Sequence, residues 1–249
     1  HPAALGNPDP IRALTPIPWM PGGVGGLAWL VSLALVPYFR RRYPDLLVSW
    51  SRLIGGRVDD PLVGRDLLGG LLLGCAAVLI NLAVSAAPAF VASGGETPMP
   101  FAATALAGLM GAVGVAGDTL IDTIMNTVFC VAIVLLGALV LRRKALGIGA
   151  LWVLVVAFNA GRENAILEVP AAALTAGLLV VALLRFGVVG VAASNLANLL
   201  LYAPLTLDLS AWYAAYGLFF VLLVAAFAVW GFWAARGGGA LISEAALDG

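Results

Sequence analysis

Apolar residues run along this chain in long, nearly unbroken blocks, separated by short breaks rich in charge, glycine or proline. A bilayer core about 30 Å thick takes a helix of about 20 mostly apolar residues, with a range of about 17 to 25. Seven blocks fit that ruler: 19–38, 67–91, 119–141, the shorter 145–160, 170–184, 186–203 and 211–235. The pattern predicts an all-α fold, a polytopic transmembrane helix bundle of about seven spans.

Basic residues accumulate in cytoplasmic loops near the ends of spans, and this gives the bundle a direction. With the first loop inside, Arg40, Arg41, Arg42, Arg52, Arg57 and Arg65 share one side. Arg142, Arg143, Lys144, Arg185 and Arg236 join them after alternate crossings, leaving only Arg12 and Arg162 opposite. The expected topology is N-terminus out and C-terminus in. Residues 1–21 carry prolines at 2, 8, 10, 16, 18 and 21 and read as an external connector. The membrane domain covers 19–241, with a cytoplasmic Arg/Asp loop at 40–66 and a cytoplasmic tail at 242–249. An external N-terminus that opens His1-Pro2 creates the expectation of a signal peptide, or of an outward-going span, upstream.

Composition narrows the function classes. The chain is 62% hydrophobic and 10% charged, whereas soluble domains average about 45–50% and about 25%. Thirteen basic residues balance thirteen acidic ones, so neither disorder nor a nucleic-acid partner is supported. Cys75 and Cys130 lie in apolar runs without companions at metal-ligand spacing and read as reduced packing residues. The one histidine, His1, leaves imidazole acid–base chemistry without a natural centre. No catalytic residue and no metal set is predicted.

The stretch 37–70 carries the most information. After Pro44 and Asp45, apolar residues at Leu46, Leu47, Trp50, Leu53 and Ile54 follow helical spacing, with Ser49, Ser51 and Arg52 on the other face. Too short to span and stopped by Gly55-Gly56, the segment reads as an interfacial helix anchored by Trp50. Arg40, Arg41 and Arg42 would meet anionic lipid. Arg57, Asp59, Asp60, Arg65 and Asp66 then alternate in sign around Pro61-Leu62. Two readings stand: a solvated loop with Asp66 as the N-cap of the second span, or a folded Arg/Asp cluster, with Arg52, that docks other cytoplasmic parts.

PYFRRRYPD at 37–45, SWSRLIGGRVDDPLVGRDLLGG at 49–70, RFG at 185–187 and PLTLDLSAWYA at 204–214 together resemble one family. This is the C-terminal multi-pass membrane region of bacterial serine/threonine protein kinases of the Acidobacteria type, and the resemblance covers about 28–233. It implies a cytoplasmic kinase domain upstream, an outward span, and then this region as the membrane anchor or sensory part in the bacterial cytoplasmic membrane. ATP and Mg would belong to that upstream domain; no cofactor is expected here, because the Gly-rich loop, HRD-like and DFG motifs are absent from the sequence. The implied partners are the lipid bilayer and the kinase domain; self-association into a homo-oligomer stays open.

Polar residues at membrane depth are candidates for function. On the third span Asp118, Asp122 and Asn126 recur every four residues, flanked by Thr119, Thr123 and Thr127. This stripe is either a hydrated rim with interhelical hydrogen bonds or an outward-opening site for a cation, a proton or a small polar ligand. Asn81 and Asn159 lie in or at the ends of other spans, and Asn195 and Asn198 share a helix face and are expected to bond neighbouring helices. A pocket between the third and sixth spans requires these asparagines to face Asp122. Gly70 and Gly74 form a GxxxG pair that predicts close helix approach. Glycines at 108, 111, 114 and 117 suggest that 101–117 is re-entrant or interfacial. Arg162, Glu163 and Glu168 could pair in an external loop. Asp208 or Ser210 is expected to cap the last span, between aromatic belts at Trp212, Tyr213, Tyr216 and at Trp230, Phe232, Trp233.

Three function classes result: a sensory or anchoring module of a signalling kinase, a transporter or channel using the polar stripe, and an intramembrane enzyme, for which no catalytic motif is present.

Overall fold

The computed structural model describes residues 48–91, 103–140, 144–159, 165–206, 208 and 210–237. The expected first span, the connector 1–21, Arg12, Arg40, Arg41, Arg42, Arg142, Arg143, Arg162, Glu163 and the tail 242–249 lie outside the described residues. Within them every regular element is helical: α1 (Val48–Ile54), α2 (Pro61–Val91), a 3₁₀ turn (Ala103–Leu106), α3 (Leu109–Val140), α4 (Lys144–Asn159), α5 (Ala165–Leu196), a second 3₁₀ turn (Ala197–Leu200) and α6 (Ala214–Ala235).

Four helical stretches are long and apolar enough to cross a membrane: Pro61–Ala86, Leu109–Val134, Leu167–Leu200 and Ala214–Ala235; Ala145–Ala157 is shorter. Large apolar side chains cover their outer faces, among them Leu72, Leu79, Met110, Ile121, Leu222 and Val229. An exposed apolar surface of this extent suits a hydrocarbon solvent and not water.

Glycine contacts give the register of the bundle. A Cβ at Gly70 would come within 2.8 Å of Ala193, and one at Gly74 within 2.7 Å of Ala197. The second part of α5 therefore runs parallel to α2, one helical turn matching one turn. A Cβ at Gly64 would meet the backbone of Ala234 at 2.7 Å, so α6 returns antiparallel and ends where α2 begins. A Cβ at Gly137 of α3 would lie 2.7 Å from Gly147 of α4. The indole N–H of Trp152 donates to the Ala173 carbonyl at 3.1 Å, joining α4 to the first part of α5.

The break in α5 shapes the rest. Gly187 has φ 62° and ψ −154°, a conformation essentially restricted to glycine because a Cβ would clash with its own backbone. A Cβ on Gly190 would lie 3.1 Å from the carbonyl oxygen of Ala182. Eight residues of straight helix would hold them about 12 Å apart. The chain therefore folds back at Gly187 into a long arm, 165–186, and a short arm, 188–200, side by side. Arg185, Phe186 and Gly187 sit where the sequence placed a boundary between two spans. The short arm, however, reaches only about 20 Å, less than a bilayer core.

Several expectations are corrected. α2 begins at Pro61, not at 67, because the Asp60 carboxylate accepts the Leu62 N–H at 2.9 Å and Pro61 supplies a first residue that needs no donor. Asp66 is accordingly not an N-cap; it is buried inside the helix. The segment after Gly108 is not separate from the third helix, since Gly111, Gly114 and Gly117 are part of α3. Positive φ at Gly108 marks the true helix start. In α1 it is Ser49 that turns inward, not part of a polar outer face, and Ile54 that is exposed. Asp208 and Ser210 close a turn with each other, whereas α6 starts at Tyr213 without a side-chain cap.

Candidate functional site

Two polar regions are built at opposite parts of the bundle. The first is the charged end, where α1 lies across the start of α2. Arg52 grips both oxygens of Asp60, at 2.7 and 3.0 Å. Arg65 donates twice to Asp66 Oδ1, at 2.9 and 3.1 Å, while the Ser49 hydroxyl donates to Asp66 Oδ2. Trp50 and Leu53 of α1 pack on the same core as Leu67 and Val189. Desolvation pushes the Asp60 carboxyl up, but the Leu62 N–H, the Arg52 guanidinium and the nearby Arg57 charge outweigh it and hold its pKa below the ordinary value. Arg57 and Asp59 are exposed. Of the six residues expected in a docking loop, four are thus tied into the fold, and Arg57 and Asp59 face outward.

The antiparallel packing brings Arg185, beside the fold-back, and Arg236, after α6, to this same end. Arg236 also stacks on Phe232, with 5.9 Å to the ring centre.

The second region is a half-open cavity of about 510 Å³ between α2, α3, α4 and both arms of α5. Its polar wall comes from Asn81, Asn126, Ser194, Asn195 and Asn198. Asn126 Nδ2 donates to Asn195 Oδ1 at 3.4 Å, and Asn195 Nδ2 donates to Thr127 Oγ1 at 3.2 Å. Thr127 in turn donates to the Thr123 carbonyl at 2.7 Å. Sixty-nine residues apart in sequence, these amides meet because the short arm of α5 returns along α3. The opposite wall is apolar, from Phe129, Ile133, Leu151, Leu154, Val155 and Leu179.

The proposed stripe on α3 is divided by this arrangement. Thr119, Thr123 and Thr127 are buried, and two of them bond back to their own helix, Thr119 to Val115 and Thr127 to Thr123. Asn126 turns toward the cavity. Asp118 and Asp122 are exposed and do not line it; a pocket uniting the asparagines with Asp122 is not what the helix azimuth provides. A 100° step per residue moves Asp122 off the face that carries Asn126 only slightly, yet the close partner, Asn195, selects the last member of the row alone.

Sequence reasoning missed Ser194, Thr175 and Tyr202 as cavity residues, and Asn81 appeared only as a polar residue of a span. Asn81 Nδ2 donates to the Ala77 carbonyl at 2.9 Å. Their signal is weak, because a single hydroxyl or amide in an apolar run is compatible with a bond to its own backbone. Glu168 is partly buried, and its Oε2 has no partner among the described residues; Arg162 and Glu163, the other members of the expected ion-pair group, lie outside them. Nor does any cluster of three metal-binding side chains occur among the described residues. Set against family models, curated proteins and solved structures, the chain matches none of them.

Proposed function

We propose that this chain is the sensory membrane region of a receptor-like serine/threonine kinase, crossing the bacterial cytoplasmic membrane seven times with its N-terminus outside and its C-terminus inside. The observation that carries the reading is the division of the bundle into two ends. Arg52, Arg57, Arg65, Arg185 and Arg236 gather at one end around a folded α1 platform, as cytoplasmic surfaces do. The neutral cavity occupies the part of the bundle toward the start of α6, since Tyr202 lines it and Pro204 lies against Gly217. A ligand received there and a platform at the other end are joined by the same two elements, α2 and the short arm of α5. The resemblance at 37–70 and 204–214 supplies the kinase.

The test is charge reversal of the outward-facing Arg57, with and without Asp59→Lys, in the whole gene product carrying its own cytoplasmic domain. The reading expects altered autophosphorylation with unchanged membrane insertion. Unaltered phosphorylation, or a reading frame upstream of His1 without a kinase domain, removes it.

A second reading, transport, is favoured by one observation: α5 is broken and its two arms border the cavity, as discontinuous helices border substrate sites in carriers. Proteoliposome uptake of an uncharged solute that is abolished by Asn195→Leu would establish it; absence of uptake for any solute leaves the sensory reading.

A further inference from the structure

Among the described residues that line the cavity, none carries a charge. A ligand with a formal charge would lose its water there without gaining a counter-ion, which is unfavourable in a low-dielectric interior. Carboxamides both donate and accept, so the Asn126–Asn195–Asn198 wall suits a hydroxyl, carbonyl or amide group. A ligand that is polar throughout would leave Ile133, Leu151 and Leu179 facing water, and one that is apolar throughout would bury the amide of Asn198, and the second N–H of Asn126, without a partner. The lining therefore calls for both characters in one molecule, and the volume of about 510 Å³ falls in the usual range of about 300–1,000 Å³ for ligand sites.

The way in points to the same class. Leu154 is 39% and Phe129 37% exposed, yet both also line the cavity. Tyr202, 43% exposed, lines it as well, so the cavity is open beside Tyr202 and on the flank between α3 and α4, and the flank opening lies on the apolar surface that faces hydrocarbon in a membrane. We infer that the cavity is a binding site for an uncharged amphiphile drawn from the lipid phase, its polar head on Asn126, Asn195 and Asn198 and its apolar body along Phe129, Leu154 and Leu179. The Asn195 amide, committed to Thr127 and Asn126, is the rigid anchor of the head site. This site rests on the membrane reading and is independent of the kinase reading.

The whole chain, purified in a mild detergent, is titrated with dioctanoylglycerol, with dioctanoyl phosphatidate as the charged counterpart and glycerol as the head alone, while thermal unfolding is followed. The expected result is a saturable rise in Tm with dioctanoylglycerol only. Affinity should fall at least 10-fold in Asn198→Leu, with its ligand-free Tm near the parent's, and in Asn126→Leu, whose ligand-free Tm falls as well because Asn195 Oδ1 loses its donor. Leu154→Trp, which narrows the exposed mouth without touching an amide, should weaken binding as well, and Asp122→Asn should bind like the parent. Equal or tighter binding of phosphatidate or glycerol, no saturable binding of dioctanoylglycerol, or binding indifferent to all three cavity variants would overturn the assignment. Failure of the membrane reading itself would show separately, as a chain that is monodisperse without detergent.

Discussion

Along α2, one helix makes two contrasting contacts with the short arm of α5. At Gly70 and Gly74 the two helices meet with no room for a side chain: Gly70 faces Gly190 and Ala193, Gly74 faces Ser194 and Ala197. One turn later, at Ala77, Asn81 and Ser85, the same helix borders an open cavity. The difference shows how an apolar chain in lipid distributes its few special residues. Small residues stand where backbones touch, because packing rather than water expulsion holds such helices together. Amides stand where backbones part, because only there can they bond across a gap.

The contrast is broken most severely by exchanging the two environments. Gly74→Leu places a branched side chain where even a Cβ overlaps the Ser194 backbone. Overpacking costs about 1–3 kcal/mol in ordinary cores and more against backbone, so the folded species should vanish from size-exclusion profiles of the detergent-solubilised protein. Ala77→Leu, less than one turn further, should fold, since its side chain extends into the cavity. Equal damage from both would erase the distinction.

The fold-back depends on one residue. Gly187→Val forces a β-branched residue into φ 62°, ψ −154°, and a loss of about 3 kcal/mol is expected, read as a lowered denaturation midpoint. A smaller effect belongs to the charged end. Ser49→Ala removes one donor from the buried Asp66 carboxylate while Arg65 remains, and about 1.5 kcal/mol should be lost.

The smallest effect is titratable. The folded-state pKa of Asp60 lies below its unfolded value, near the ordinary 3.8. Its contribution is therefore complete above that value and is lost as pH falls through the lower, folded one. The Arg52–Asp60 pair is partly exposed, with 41% of the arginine side chain accessible, so no more than about 1 kcal/mol is expected. Asp60→Asn should flatten the stability profile below pH 4 and lower stability at pH 7 by the whole contribution of the pair, no more than about 1 kcal/mol.

Much of the bundle was legible in the sequence. Length and hydropathy place α4, α6 and the C-terminal ends of α2 and α3 within a few residues, because a helix in hydrocarbon must satisfy its backbone internally, whereas α2 starts six residues and α3 ten residues earlier than the apolar ruler placed them. GxxxG at Gly70 and Gly74 marked the tight contact. What resisted reading was azimuth. Ser49 and Asp66 meet across 17 residues, and Asn126 and Asn195 across 69, through tertiary packing that no local spacing encodes. Asp118, Asp122 and Asn126 form one row on paper, but the neighbour of α3 covers only part of it. The division of 170–203 into two spans captured the break at Gly187 and not its tight reversal, which follows from a single backbone angle.

The fold-back of α5 around the cavity is the claim on which the site depends, and a distance measurement addresses it directly. With Cys75 and Cys130 replaced by alanine, spin labels at Thr175→Cys and Asn198→Cys report the separation of the two arms by pulsed electron resonance. Both positions border one cavity, so a distance of about 20 Å or less is predicted; about 34 Å, the length of 23 residues of uninterrupted helix, would contradict the account.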